Sequence, residues 1–153
     1  ARIPKEKLAL ALRNYCTEPM SELREFVARD VLDVALVNTD NHARNSAVLK
    51  TPTGTITLSP IYDLAPMIFD PRGVARVCRW RDNADYPDWS YVAAFLVSLG
   101  LNETDTRRWL RSLAPKVNAL PDAMRQFEVP DQIIERCAAR IQTVTKSLED
   151  VPQ

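Results

Sequence analysis

Apolar positions along the chain fall into a few runs with helical spacing, separated by polar and proline-rich stretches. Between Ser21 and Val37 the apolar residues are Leu23, Phe26, Val27, Val31, Leu32, Val34, Ala35, Leu36 and Val37, while Ser21, Arg24 and Glu25 keep the beginning wet. This spacing predicts a helix that becomes apolar all round, dives into the core and stops near Asn38. Directly after it, Asn38 to Asn45 form a polar run with almost nothing to bury. A polar loop in such a place is expected to be anchored rather than floppy. Ser46 to Lys50 and Thr55 to Leu58 are strand-like and flank Thr51-Pro52-Thr53-Gly54, so a small hairpin is predicted. Pro60 and Pro66 then bracket Asp63 and restrict the backbone to a stiff, non-helical loop.

Residues 70–88 are rich in Asp, Arg, Pro and Asn and predict irregular structure, with a strand at Val74 to Trp80. Helical patterns dominate the remainder. Asp88 or Ser90 can cap a helix that runs through Leu99 and ends at Gly100. Asn102 to Asp105 start a helix that Pro115 should limit near Leu113. After punctuation by Pro121 and Pro130, a last helix from Asp131 to Leu148 carries Ile133, Ile134, Cys137, Ile141, Val144 and Leu148 on one stripe. The expected fold class is therefore mainly α with a small β-hairpin, one domain across residues 1–153.

Composition narrows the function classes. Twenty basic and twenty acidic side chains cancel, so charge alone favours neither nucleic acid nor an anionic membrane as partner. No apolar run approaches the roughly 20 residues of a membrane span, and Ala1 to Leu10 mix charged and apolar positions unlike a secretory segment. A cytoplasmic protein is expected. Cys16, Cys78 and Cys137 are widely spaced and read as buried thiols rather than a disulfide framework or zinc site. Asn102-Glu103-Thr104 fits a glycosylation sequon but reads better as a helix start. The three glycines form no phosphate-cradling cluster.

Asp40, His42 and Asn45 form D-x-H-x-x-N, and Asp63 follows 18 residues after Asn45, across the predicted hairpin. Phosphoryl transfer from ATP needs a carboxylate to orient or deprotonate the attacking hydroxyl, and oxygen ligands that hold Mg²⁺ against the phosphates. In protein kinases the base Asp and a metal-binding Asn are five positions apart, and so are Asp40 and Asn45. On this template Asp40 is the base, Asn45 and Asp63 bind the metal, and Arg44 neutralises charge near the transferred group. Taken singly, each residue has a plainer reading: Asp40 as a turn residue after a helix, His42 as loop packing, Arg44 as a solvated charge. Trp80, Trp89 and Trp109 read as core filling rather than base stacking, and Arg107, Arg108 and Arg111 as a solvated helix face.

Val37-Asn38-Thr39-Asp40-Asn41-His42-Ala43-Arg44-Asn45, followed by Leu58-Ser59-Pro60-Ile61-Tyr62-Asp63-Leu64, resembles the N-T-D-x-H-x-K-N and L-x-P-x-Y-D signature of HipA-like serine/threonine kinases. These are toxins of type II toxin–antitoxin systems. Phosphatidylinositol-type lipid kinases share the D-x-H-x-x-N core, and the Tyr62-Asp63 segment favours HipA. The close match covers about residues 31–65, with a looser one in the helical tail. The resemblance implies a kinase-like C-terminal lobe that uses ATP and Mg²⁺, with Asp40 as base, Asn45 and Asp63 as metal ligands and His42 bracing the loop. Arg44 stands where the family usually has Lys, which keeps charge but changes hydrogen-bond geometry. It further implies a protein substrate, in the best-known members glutamyl-tRNA synthetase, an aminoacyl-tRNA synthetase, and a HipB-like antitoxin as partner. The family's N-terminal lobe, with its phosphate loop, nucleotide-binding Lys and adenine hinge, is expected to be absent, leaving an excised fragment or a split subunit that is inactive alone.

Two readings compete with the kinase half-site. One is a non-catalytic helical module that docks an antitoxin or another subunit. The other is a metal-dependent hydrolase that uses Asp40, His42 and Asp63, for which a His ligand and a first-row metal are expected.

Overall fold

A computed structural model describes residues 3–73, 75–81 and 86–153. The chain begins with α1 (Lys5–Tyr15), a helix that the sequence pattern left unassigned because one of its buried positions is a lysine. Its inner face carries Lys5, Ala9 and Leu12, a spacing of four and three. Helix α2 (Pro19–Ala35) starts on a proline, whose missing N–H costs nothing at a helix start, and buries Leu23, Phe26, Val27, Asp30, Val31 and Val34. It starts two residues before the predicted Ser21 and ends at Ala35, close to the expected stop.

The hairpin is present and shorter than predicted: β1 (Val48–Lys50) pairs antiparallel with β2 (Ile56–Leu58), Leu49 opposite Thr57. At the turn Gly54 takes φ +92°, a region that favours glycine. The hairpin is moored to the helices. Thr17 gives its backbone N–H to the Ile56 carbonyl at 2.9 Å and its hydroxyl accepts from Ile56 N at 2.8 Å. Glu22 on α2 accepts from Leu58 N at 2.9 Å.

The helical tail comprises α3 (Trp89–Ser98), α4 (Glu103–Asn118), α5 (Leu120–Gln126) and α6 (Asp131–Glu149). Asp88 caps α3 by accepting from Ser90 N and Tyr91 N, and Asn102 caps α4 by accepting from Asp105 N. Helix α4 packs on α3 and α6, and α6 on α2. Leu23, Val27, Val92, Leu96, Leu110, Ile141 and Leu148 fill the shared core, each adding about 1.5–3 kcal/mol by leaving water. Trp80 and Trp89 are buried as expected of core residues, and all three cysteines are free and buried. Arg107 and Arg108 pair with Glu103 and Asp105 on their own helix, and Arg111 donates to the Val151 and Pro152 carbonyls.

Two expectations are corrected. Helix α4 does not stop near Leu113 but runs through Pro115 to Asn118. An interior proline costs about 3 kcal/mol, and Leu113, Ala114 and Val117, all buried around it, offset that cost. The strand expected at Val74 to Trp80 does not form over residues 75–80, and Val74 lies outside the described residues. Among the described residues that segment has no neighbouring strand, and the N–H groups of Val77 and Cys78 go to the Asn41 side chain instead of a ladder.

At the end of α3, Gly100 has φ +107°, with Gly100 N–H bonded to the Val97 carbonyl and Leu101 N–H to that of Leu96. Gly100→Ala should lower stability by about 1 kcal/mol, as a shifted midpoint at unchanged slope in urea denaturation, because alanine is strained at this φ.

Candidate functional site

The polar loop is positioned at its start by the end of α2. Val37 N–H bonds to the Val34 carbonyl and Asn38 N–H to the Asp33 carbonyl, the same pattern that Gly100 closes on α3. Here the left-handed residue is Val37, at φ +57°. A β-branched residue in this region is strained by roughly 1–2 kcal/mol and stays there only if its surroundings hold it. They do: Met67 N–H donates to the Val37 carbonyl at 3.0 Å, and buried Asn38 donates through Nδ2 to Asp33 Oδ1 at 2.7 Å.

Within the D-x-H-x-x-N segment the loop closes on itself. The Asp40 carbonyl accepts from His42 N at 2.9 Å and from Asn45 Nδ2 at 3.0 Å, and Asn45 N donates to the His42 carbonyl at 2.9 Å. Asn45 thus points its amide nitrogen inward and keeps its amide oxygen available for another partner. The 3-10 turn Ala43–Asn45 sets this geometry. Asn41, which the sequence reading passed over, is almost fully buried. Its Nδ2 donates to the Cys78 carbonyl at 2.8 Å, and its Oδ1 accepts from Val77 N at 2.9 Å and Cys78 N at 3.2 Å. A polar side chain between Asp40 and His42 was visible in the sequence, but its partners, some 37 residues away, were not.

Asp63 reaches the same place from the far side of the hairpin. It sits at φ +56°, where Asp is tolerated better than most residues, between the two prolines. The neighbouring Tyr62 hydroxyl donates to the Arg44 carbonyl at 2.7 Å and ties this loop to the first. His42, Asn45 and Asp63 line one small recess of about 30 Å³, together with Tyr62, Lys5 and Asp33. Asp63 is exposed at its mouth, and among the described residues its carboxylate has no hydrogen-bond or ion-pair partner. A carboxylate and a side-chain amide from two separate loops thus line one recess.

The other expected residues stand differently. Asp40 is half-buried on the loop beside the recess, and does not line it. Its charge acts on Arg72, whose guanidinium is held above its ordinary pKa first by the Asp70 hydrogen bond and more weakly by Asp40. Arg44 is exposed, points no ion pair at any described residue and lies outside the recess. His42 lines the recess, and its Nδ1 is buried without a hydrogen-bond partner, so packing rather than a ring hydrogen bond at Nδ1 sets its place.

Beneath the recess lies a buried charge cluster. Asp30 is inaccessible and receives Lys5 Nζ at 2.7 Å, Arg76 Nη2 at 2.7 Å and Trp80 Nε1 at 2.8 Å. Burial alone would raise its pKa, and Lys5 and Arg76 together overcome that effect and hold it at about 2. Asp33, one turn on, goes the other way. Burial lifts it to about 6, aided by the Asp30 charge, and Lys5, 3.8 Å away, only partly offsets the rise.

Among the described residues no group of three His, Cys, Asp or Glu side chains is placed to hold a metal ion. The His-bearing hydrolase set of Asp40, His42 and Asp63 is therefore not assembled, whereas an amide oxygen with one carboxylate fits Mg²⁺, which is held by few protein ligands plus water and phosphate. No described helix is long and apolar enough to cross a membrane.

The comparison with known families decides the relationship, since the family model for the HipA-like C-terminal domain matches residues 4–145. The chain belongs to that family. No curated protein matches it. The match takes in α1 and most of the helical tail of this HipA-like domain, well beyond the two loops that carry the signature.

Burial of Asp33 makes part of the domain's stability depend on pH. A carboxyl whose folded pKa is raised from 3.8 to about 6 contributes stability that is fully present below the unfolded value and is lost as pH rises through the folded one. Asp30, with its pKa depressed to about 2, adds stability above pH 3.8 that fades only in stronger acid. Asp33→Asn keeps the acceptor for Asn38 without the charge. It should abolish a fall of about 2 kcal/mol between pH 4 and pH 7, read by urea denaturation across that range; an unchanged profile would remove Asp33 as its source.

Proposed function

We propose that this HipA-like domain is the catalytic-loop and Mg²⁺-binding half of a protein serine/threonine kinase, a C-terminal lobe of the protein-kinase type. The observation that carries the reading is the meeting of Asn45 and Asp63 at one recess, although 18 residues and a hairpin separate them in sequence. A carboxylate and an amide on the wall of one recess are donor types that a metal-bound triphosphate asks of a protein.

In this reading Asn45 Oδ1 and the Asp63 carboxylate hold Mg²⁺. The bound Mg²⁺–ATP supplies an activated γ-phosphoryl group. Asp40, adjoining the recess, orients the acceptor hydroxyl and takes its proton. Asn45 serves twice, because the amide that keeps its oxygen outward also clasps the Asp40 carbonyl, so base and metal ligand move as one unit. Arg44, exposed beside them, is available to neutralise charge on the transferred group. A second, apolar recess of about 310 Å³ adjoins the first and shares Leu8, Phe26 and Ser46 with it. Its walls of Leu12, Ala47, Val48 and Leu58 suit the base of the nucleotide.

The remaining parts of the reading are an N-terminal lobe that completes the nucleotide site, a protein acceptor, which in the family's pattern includes an aminoacyl-tRNA synthetase, and an antitoxin partner of the HipB type in the cytoplasm. The domain alone is proposed to be inactive.

In the protein joined to such a lobe, Asp40→Asn and Asp63→Ala should each lower phosphate transfer to a protein hydroxyl at least about 100-fold. Radiolabelled γ-phosphate transfer measures this, with circular dichroism as a control for folding. Near-normal turnover in either variant rejects the assignment of roles.

A further inference from the structure

Against Asn38 and Thr39 of the loop lies another recess, of about 200 Å³, that the kinase reading does not use. Val34, Val37 and Ala75 make its apolar wall, Thr39 borders it next to Asp40, and Arg76 and Arg140 reach it from two different elements. Arg76 is nine-tenths buried, at 7% exposure, and only part of its guanidinium is satisfied: Nη2 bonds to Asp30, while Nη1 is buried with no partner. Leaving such a donor unpaired is costly, and more so for a charged group. Arg140 lies with its guanidinium 4.0 Å from the centre of the Tyr86 ring, and has no carboxylate partner among the described residues. The one acidic group on the wall, Asp33, is engaged elsewhere, its Oδ1 by Asn38 and its Oδ2 facing Lys5. The recess therefore combines an apolar wall with the Arg140 guanidinium, which has no carboxylate partner among the described residues, and with Nη1 of Arg76, whose Nη2 is already paired with Asp30.

We propose that this recess takes one anionic side chain, a glutamate or a phosphorylated residue, of the polypeptide whose hydroxyl is presented to Asp40. The inference rests on the kinase reading for the identity of the polypeptide, and on the recess alone for the chemistry of the side chain. The methylenes of the side chain lie on Val34, Val37 and Ala75, and its anionic group meets Arg140 and the free Nη1 of Arg76. Arginine forks bind carboxylate and phosphate alike by paired charge-assisted hydrogen bonds, so the two sources share one recognition chemistry.

A titration of the ¹⁵N-labelled chain with capped serine peptides, identical but for Glu, phosphoserine or Gln at one flanking position, tests it. Trp80 Nε1 bonds to the same carboxylate as Arg76, so the Trp80 indole and Arg140 Nε resonances should both shift saturably with the Glu or the phosphoserine peptide. The Gln peptide should leave them unmoved, and Arg140→Gln should weaken binding about tenfold. Whichever anionic peptide binds identifies the source. Equal shifts with Gln, no shifts with either anion, or unchanged affinity in a folded Arg140→Gln chain overturns the proposal. In the protein joined to the proposed N-terminal lobe, Arg140→Gln should raise KM for the anionic peptide and leave kcat alone. Saturable anion binding without phosphoryl transfer would sink the kinase reading and keep the recess, and transfer indifferent to the flanking residue would do the reverse.

Discussion

A carboxylate withdrawn from solvent keeps its charge only where cations and donors surround it, and Asp30 is surrounded from three directions. Lys5 comes from α1, Trp80 and Arg76 from the irregular segment after the hairpin, and Asp30 itself from α2. The contacts fix the relative positions of three pieces of chain that are distant in sequence. Removing Asp30 would leave Lys5 and Arg76 as buried cations without their shared carboxylate, which is more costly than never having buried them. Lys5 extends the constraint, since its Nζ lies 5.1 Å from the centre of the Phe26 ring and near Asp33 as well.

The loop inherits its shape from that cluster. Asp33 lies between the cluster and Asn38, Asn38 closes the end of α2, and Val37 is forced into the left-handed region there. From the other end, the segment that Arg76 and Trp80 anchor offers Val77 and Cys78 to Asn41. The polar run from Asn38 to Asn45 is thus gripped at its start and at Asn41 by residues that answer to one buried carboxylate. This is why a stretch with little apolar surface of its own can hold Asn45 and His42 in place. On the proposed reading the site is preorganised before any nucleotide arrives, which places the conformational cost in folding rather than in binding.

What the sequence made legible divides along physical lines. Signals that act locally were readable: the 3.6-residue spacing of α2 and α6, the Asp88 and Asn102 caps, the turn at Gly54 and the left-handed end at Gly100. The family relationship was legible too, because the D-x-H-x-x-N segment and the Tyr62-Asp63 segment carry it in their spacing. Tertiary pairing was not. Lys5 hides α1 by standing charged on a buried face, Val37 ends α2 where no glycine announces it, and Pro115 looks like a stop until the burial of its neighbours is weighed. The segment 75–80 has strand-like composition, but strands need partners, and its hydrogen bonds are spent on Asn41.

The loop from Asn38 to Asp40 is a partition rather than an edge. Asp33 and Asn38 belong to the walls of both the Asn45–Asp63 recess and the Arg76–Arg140 recess, so the two spaces lie on opposite sides of the same few residues. If a metal-bound phosphate occupies one side and an anionic acceptor segment the other, their negative charges are kept apart by a loop under which Lys5 and Arg76 already balance Asp30. Asp40 stands where the partition ends, half-buried, next to both. On the proposed reading, a base in that position meets the acceptor from one side and the donor from the other without belonging to either recess, its neighbour Thr39 bordering one and Asn41 the other.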